Sequence, residues 1–442
     1  MNYIPNISFA IALFIGIGFF VMNVLKLVRN IKLGKEVDRS DRKTQRWKNM
    51  ARVALGQSKM VSRPIAGFLH VIVYVGFIII NIEVLEIIID GLFDTHRIFQ
   101  PLLGNSIYGF LIGTFEILAF LVLVAVIIFW LRRNIVQIKR FMSKEMKGWP
   151  KSDGNLILYF EIVLMSLFIL MNATDHSFQE AGFGNPISQF VAPWFSEYSL
   201  ETLSSIEHIA WWAHIIGILI FLNYLYYSKH LHILLAFPNT YFANLQPKGQ
   251  FNNLSSVTKE VRMMMDPDAD PYAMPEEGLE EEIPEKFGAS DVTDLNWVQL
   301  LNAYTCTECG RCTSSCPANM TGKELSPRAI MMKTRDRLEE VGRNIDTNKG
   351  AFKDDGKQLL NDYITPEELW ACTSCNACVE ECPIDIDPLS IIMDMRRFLV
   401  MEQSAAPQEL NMMMTNIENN GAPWQYNQQD RLNWKDEQKQ QI

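Results

Sequence analysis

The eight cysteines of this 442-residue chain form two runs with the same spacing, C-x2-C-x2-C-x3-C-P. The runs are Cys306, Cys309, Cys312 and Cys316 before Pro317, and Cys372, Cys375, Cys378 and Cys382 before Pro383. Thiolates at two-residue gaps can turn around one corner of a cuboidal cluster, and the proline redirects the chain after the fourth ligand. The doubled run therefore predicts two [4Fe–4S] clusters and one-electron transfer.

The fourth cysteine of each run is expected to reach the cluster of the other run. This rule gives cluster one the ligands Cys306, Cys309, Cys312 and Cys382. It gives cluster two the ligands Cys372, Cys375, Cys378 and Cys316. Zinc is the alternative because C-x2-C pairs also build zinc knuckles, but a doubled run with both prolines is far more specific. Disulfides are disfavoured since the topology below places the domain in a reducing compartment.

Long apolar stretches ahead of the cysteines supply the elements that must position them. They run at about 8–28, 65–90, 108–131, 155–173 and 206–228, each near the ~20 residues that cross a bilayer. The expected fold is an all-α membrane domain, a five-helix transmembrane bundle over 1–240, followed by a mainly α-helical dicluster ferredoxin domain. The first stretch lacks a basic leader and a small-residue cleavage site, so we expect it to stay as a signal anchor.

Lysine and arginine are distributed unevenly among the loops. Residues 26–63 hold twelve and residues 132–151 hold seven, whereas the loop between the second and third spans holds only Arg97 and residues 174–205 hold none. Positively charged loops stay on the inner side of the membrane. The N-terminus is therefore expected outside, and the cysteine runs are expected in the cytoplasm.

The net charge of −10 combines these basic loops with an acidic soluble part. Residues 241–289 are expected to form an acidic, proline-rich, extended linker without a functional role for its charges. Its acidic residues and prolines include Glu276, Glu277, Glu280, Glu281, Glu282, Pro267, Pro271, Pro275 and Pro284. Residues 290–402 are expected to form the two-cluster domain, and 403–442 a polar tail that is loosely structured or depends on a partner.

Histidines at the apolar spans predict haem ligands, because imidazole is a standard axial ligand and a relay haem needs two. His214 and His232 lie eighteen residues apart. On one continuous helix they would project from one face about 27 Å apart, near opposite ends of the bilayer. His70, near the inner end of the second span, is expected to pair with His232 around an inner haem b. His230 would face elsewhere and is the alternative ligand.

The outer haem site is less well defined by the sequence. His214 would need a second ligand, for which His176 and His208 are candidates, so the number of haems is one or two. Carboxylates toward the outer end of the second span are candidates for proton exchange with a quinol. They are Glu83, Glu86 and Asp90, of which the last two could equally serve as interface caps.

The spans resemble the cytochrome b subunit of respiratory nitrate reductases and the related subunit of membrane-bound heterodisulfide reductases. The resemblance rests on the segments Phe68-Leu69-His70 with Gly76, Trp211-Trp212-Ala213-His214, and Ser228-Lys229-His230-Leu231-His232-Ile233. The resemblance implies that His70 and His232 hold the inner haem and that His214 holds the outer one. The family's second outer ligand corresponds to Ile80 here.

Residues ~290–402 resemble the ferredoxin domain of heterodisulfide reductase and glycerol-3-phosphate dehydrogenase iron–sulfur subunits. The cysteine-rich CCG domains that usually follow are not expected here, which implies a separate catalytic protein. The resemblances together imply a multi-pass protein of a prokaryotic cytoplasmic (inner) membrane.

The function expected is that of an oxidoreductase subunit. It would pass electrons between the membrane (mena)quinone pool, haem b and the two clusters, to or from a cytoplasmic CCG-domain iron–sulfur protein or flavoprotein. The sequence shows no glycine-rich dinucleotide fingerprint and no nucleophile–base arrangement, and no nucleic-acid partner is expected. The alternatives are a self-contained quinone-linked dehydrogenase or reductase, and a membrane redox sensor.

Overall fold

The computed structural model describes residues 4–267 and 286–439. Over these residues the fold is helical, and the strand-like pairings are two isolated bridges, Lys35–Asn296 and Leu360–Ile364. The all-α architecture expected from the sequence is confirmed.

Five of the described helices are long and apolar enough to cross a membrane. They are Ile4–Ile31, Pro64–Phe93, Asn105–Asn134, Trp149–Thr174 and Leu200–Tyr227, here called the first to fifth spans. Each extends beyond its apolar stretch because the flanking polar residues keep helical geometry. Proline lies in the first turn of the second and fourth spans, where its fixed φ suits a helix start.

The fourth span packs against the third and fifth spans. Its buried Leu164 and Phe168 pack with Tyr108, Ile112 and Phe115 of the third span. The first span contacts the second and fifth spans and is the most peripheral, with only 6% of its apolar window buried. Its outward apolar side chains suit a lipid environment.

The fifth span ends before the histidine pair that was expected to continue it. Ser228 has an extended backbone (φ −113, ψ 148), a short 3-10 turn covers Lys229–Leu231, and a new helix runs over His232–Tyr241. The prediction that His214 and His232 project from one face of a single helix is therefore wrong. The Ser228 hydroxyl accepts a hydrogen bond from the His230 N–H at 3.0 Å, which stabilises the new start.

Short elements complete the membrane domain. On the side of the first loop they are Lys43–Met50, Ala51–Leu55, Lys139–Phe141 and Lys144–Met146, and on the opposite side Phe99–Leu103, His176–Ala181, Ser188–Val191 and Ala192–Phe195.

The dicluster region consists of short helices around two longer ones. They are Val292–Asp294, Trp297–Thr305, Arg311–Ser314, Pro317–Met320, Pro327–Thr347, Leu359–Asp362, Pro366–Trp370, Ala377–Glu381 and Pro388–Met401. Its core is continuous with the bundle, because Leu27, Leu231 and Ala236 belong to the same buried apolar cluster. The dicluster region therefore packs directly against the membrane domain and is not connected to it by the chain alone.

The expected linker and tail are partly described. A helix covers Ser255–Met265, and the acidic residues Glu276, Glu277, Glu280, Glu281 and Glu282 with Pro271, Pro275 and Pro284 lie outside the described residues. The tail contains Gln408–Asn420, Gln428–Leu432 and Asn433–Lys439, and the first of these buries no residue. The domain boundaries at 240, 289 and 402 stay predictions.

Candidate electron-transfer site

The two cysteine runs face each other through the short helices Arg311–Ser314 and Ala377–Glu381. All eight thiols are free, four are buried and Cys375 is exposed. Cys312 lies within electrostatic range of Cys306, Cys309, Cys382 and Cys378. Cys378 lies within electrostatic range of Cys372, Cys375 and Cys316. The fourth cysteine of each run thus lies near thiols of the other run, and the crossed ligand sets stay a prediction.

The thiol spacing suits clusters better than single metal ions. Four sulfur ligands of one zinc ion lie about 3.8 Å apart, given a Zn–S bond of about 2.3 Å. Over residues 4–267 and 286–439, no three His, Cys, Asp or Glu side chains come together closely enough for one ion. Thiolates bound to different irons of a cube lie farther apart than the ligands of a single ion.

Equivalent positions of the two runs adopt the same unusual backbone. Glu308 and Ser374 have φ values of 53 and 56, and Gly310 and Asn376 have φ values of 72 and 60. A Cβ at Gly310 would meet Arg328 Nη1, so a larger residue there would have to displace the end of that side chain, and the positive φ favours glycine. These left-handed turns let each loop fold around its thiols. The Ser374 N–H donates to the Cys372 Sγ at 3.4 Å.

Burial raises the pKa of the Cys306 thiol to about 11 and that of the Cys378 thiol to about 12. A reactive cysteine needs the opposite environment, one that stabilises the thiolate. Because a ligating cysteine must be deprotonated, iron binding at these positions would release protons and supply the compensating positive charge. The thiols are therefore suited to ligating metal rather than to nucleophilic chemistry.

Three histidines meet at the end of the bundle that contacts the dicluster region. The ring centres of His70 and His232 are 6.4 Å apart, and those of His230 and His232 are 5.5 Å apart. Two imidazoles on opposite faces of one metal ion have ring centres about 6 Å apart, from a bond of about 2.0 Å and about 1.1 Å from nitrogen to ring centre. The expected pair is thus brought together, although His230, expected to face elsewhere, joins it.

The His232 ring is oriented by a backbone contact. Its Nδ1 lies 3.0 Å from the Lys229 carbonyl oxygen, which as an acceptor assigns the proton to Nδ1 and leaves Nε2 free to ligate. Metal-bound histidines are commonly held in this way. The buried Nδ1 of His70 and of His230 has no hydrogen-bond partner among the described residues. His232 is therefore the best-prepared ligand of the three.

His214 is 1% exposed, and its ring lies 6.1 Å from that of Phe168. The expected second ligands have contacts elsewhere. His176 pairs with Glu180 at 3.5 Å, and the His208 Nε2 accepts from the Trp212 Nε1 at 3.2 Å. His214 thus has the burial of a ligand, but neither candidate partner is directed to it by these contacts.

Arg311, which the sequence pattern did not single out, connects the first cysteine run to the loop before the second span. Arg311, 3% exposed, lies beside Cys312 and donates to the Lys59 carbonyl at 2.9 Å and the Met60 carbonyl at 3.3 Å, just before the second span. His70 lies in the second turn of that span. No local pattern identifies this arginine, because its partners lie about 250 residues away in the chain.

The opposite end of the bundle holds a second buried polar group. Arg97, counted above as a loop cation, is buried and donates to Asp175 at 2.9 Å and to Asn172 at 3.0 Å. Glu86 accepts from the Phe99 N–H and Asp90 from the Arg97 N–H, so both cap the 95–99 turn. This confirms the capping alternative for these two carboxylates.

The carboxyl group of Glu83 differs from these two. Its buried Oε2 has no hydrogen-bond partner among the described residues, and the residue is 3% exposed. A buried polar group without a partner is costly. Glu83 is therefore the one member of the three expected carboxylates that no packing role explains.

The fold and the thiol arrangement define a class, membrane-anchored two-cluster iron–sulfur proteins. Residues 305–386 match the model of the 4Fe-4S dicluster domain. Within this class, the chain is 29% identical over 452 positions to the probable iron-sulfur-binding oxidoreductase FadF of Bacillus subtilis, covering 95% of this chain and 59% of that protein. No solved structure matches the chain significantly.

Two further relatives have related descriptions. The EtfAB:quinone oxidoreductase of Syntrophomonas wolfei is 26% identical over 432 positions, covering 91% of this chain and 55% of that protein. A component of the ferredoxin/F(420)H(2)-dependent CoB-CoM heterodisulfide reductase of Methanosarcina acetivorans is 33% identical over 109 positions, 24% of this chain and 53% of that component. The expected relationship to membrane iron–sulfur oxidoreductases and heterodisulfide reductase subunits is confirmed. The chain spans a little over half the length of the two relatives that it matches almost throughout.

Proposed function

We propose that this chain carries single electrons between a quinone in the membrane and a redox protein in the cytoplasm, as a subunit or part of an oxidoreductase. The observation that carries this proposal is the junction at which the three-histidine group and the first cysteine run meet. Arg311 is adjacent to a thiol of that run and bonded to the loop before the second span, in whose second turn His70 lies. Two redox sites placed this way can exchange electrons without a mobile carrier.

The ligand sets follow the crossed grouping. Cluster one would be held by Cys306, Cys309, Cys312 and Cys382, and cluster two by Cys372, Cys375, Cys378 and Cys316. Haem b would be held by His70 and His232, with a second haem at His214 if another ligand is supplied. These groups would provide one-electron carriers. Exposed Cys375 favours a position of cluster two nearest the surface, where a cytoplasmic CCG-domain iron–sulfur protein or flavoprotein would dock.

Quinone is proposed as the membrane substrate on two grounds. The first is that one relative of the chain is described as an EtfAB:quinone oxidoreductase. Glu83 lies thirteen residues after His70, about 20 Å farther along the second span, and its buried Oε2 lacks a partner among the described residues. A quinol hydroxyl would supply that partner. The proposed orientation puts Glu83 toward the outer side of a prokaryotic cytoplasmic membrane and the N-terminus outside.

The haem assignment is tested by replacing each histidine in the purified, anaerobically prepared chain. His232→Ala and His70→Ala should each abolish a b-type absorbance band while cluster iron stays near eight atoms per chain. The matched control is His96→Ala, because the His96 side chain is exposed and contacts Asp175 outside the junction. A band that survives both junction substitutions would show that haem, if bound, is held elsewhere.

A further inference from the structure

Glu308 occupies an unusual position between two proposed ligands of cluster one, Cys306 and Cys309. Its backbone is left-handed, with φ 53, and the residue is 3% exposed. A carboxylate buried beside metal-bound thiolates is electrostatically unfavourable unless cations offset it. Packing alone does not account for the Glu308 carboxylate at this position.

Two largely covered cations hold the Glu308 carboxylate. Arg335 donates to its Oε1 at 2.8 Å, and the Lys229 ammonium donates to its Oε2. The side chains of Lys229 and Arg335 are 10% and 15% exposed. Arg335 belongs to the dicluster region itself, whereas Lys229 belongs to the turn that follows the fifth span. The Lys229–Glu308 ion pair therefore crosses between the two parts of the chain.

Lys229 is fixed by four further contacts, one of which is an ion pair of its ammonium with Asp153 Oδ2 at 3.7 Å. Its ammonium donates to the Pro150 carbonyl at 2.7 Å, and its N–H donates to Asp153 Oδ2 at 3.1 Å, both at the start of the fourth span. Its carbonyl oxygen accepts from the Nδ1 of His232 at 3.0 Å. One residue thus holds the loop of the proposed cluster one through its side chain and the proposed haem ligand through its backbone.

We propose that Lys229 and Glu308 form a positioning pair that fixes His232 relative to the first cysteine run and sets the potentials of the two redox sites. This inference rests on the proposed function, because it concerns electron transfer between those sites. Lys229 contributes a positive charge that favours the reduced form of each nearby centre, and Glu308 contributes a negative charge that favours the oxidised form. Removing either charge also breaks the same contact.

Neutral substitutions separate the electrostatic role from a purely structural one. In redox titrations of the purified full-length protein, Lys229→Gln should shift the midpoint potential of cluster one to more negative values. Glu308→Gln should shift it to more positive values, although both variants lose the ion pair. A structural role alone would give shifts of the same sign, or none. Cluster one is followed by electron paramagnetic resonance and haem by its visible band.

Electron transfer between the sites tests the positioning role. The double variant Lys229→Gln/Glu308→Gln restores the net charge, so its potentials should lie between those of the single variants. Its haem-to-cluster transfer rate in stopped-flow reoxidation should still fall severalfold. Lys229→Arg keeps charge and donors and should retain most of the wild-type rate.

The control is Arg29→Gln, which removes an ion pair with Asp346 that also joins the membrane domain to the dicluster region, but from the first span. It should leave both potentials unchanged. Wild-type transfer rates in the double variant, or equal-signed shifts in the single variants, would overturn the inference. Absence of haem from the wild-type protein would instead overturn the proposed function.

Discussion

At the scale of single residues, some site residues can be predicted from local sequence patterns, whereas others are placed only by contacts between distant parts of the chain. The cysteine spacing predicts three ligands of each set from gaps within about ten residues, and the fourth follows from the crossing rule. In the folded chain Cys382 lies within electrostatic range of Cys306 and Cys309, and Cys316 within range of Cys372. Arg97 and Glu308 show the limit of this reasoning. The sequence places each in a polar loop, but both are buried by partners far along the chain.

Glu83 is the residue whose chemistry is most directly testable. Glu83→Gln keeps the shape of the side chain but cannot take up a proton, so quinol-driven reduction of the haem in membranes should slow about tenfold or more. The measurement is the rate of the haem absorbance change after a quinol analogue is mixed with membranes under anaerobic conditions.

The matched control for Glu83 is Glu161→Gln. Glu161 is also a buried carboxylate of the bundle, but it lies on the fourth span, away from the second-span carboxylates. The haem of this variant should be reduced at the wild-type rate. Equal slowing of the two variants would mean that burying an amide disturbs the bundle, and that Glu83 has no special role in proton transfer.

At the scale of elements, hydropathy located the five spans but not the end of the fifth. The apolar stretch at 206–228 gives way to Ser228-Lys229, and helical periodicity alone does not distinguish a continued helix from a break. The break depends on a serine cap and on Lys229, whose partner Glu308 lies in the dicluster region. His232 still lies beside His70, because the new helix starts at the same end of the bundle.

The cap at Ser228 provides a prediction at this scale. Ser228→Ala removes the acceptor for the His230 N–H, costs about 1 kcal/mol of local stability and favours continuation of the fifth span. A continued helix would carry His232 about 12 Å past Tyr224 along the axis of the fifth span, away from its present position beside His70, so haem content should fall while cluster content holds. Both are measured as cofactor-to-protein ratios in the purified protein.

Ser199→Ala is the corresponding control, since Ser199 caps the other end of the same span by accepting from the Thr202 N–H at 3.2 Å. Its loss should cost similar helix stability without changing haem content. If the two variants lose haem equally, then general destabilisation of the span, rather than the break, governs haem binding.

At the scale of the whole molecule, charge distribution and packing point to the same orientation. The two cation-rich loops are also the loops that bind the dicluster region. Arg311 bonds to Lys59 and Met60 of the first, and Arg328 bonds to the Arg140 carbonyl and Glu145 of the second. Loops rich in lysine and arginine stay on the cytoplasmic side, so we expect the attached dicluster region there as well.

This orientation is tested by proteolysis in sealed membranes. The tail after the dicluster region exposes Arg431 to solvent, which makes it accessible to trypsin. Trypsin should shorten the chain in inverted vesicles, where the cytoplasmic face is outward, and leave the tail intact in spheroplasts. Detergent should make both preparations equally sensitive. Cleavage of the tail in intact spheroplasts would place the clusters outside, where an exchange of electrons with a cytoplasmic protein is impossible.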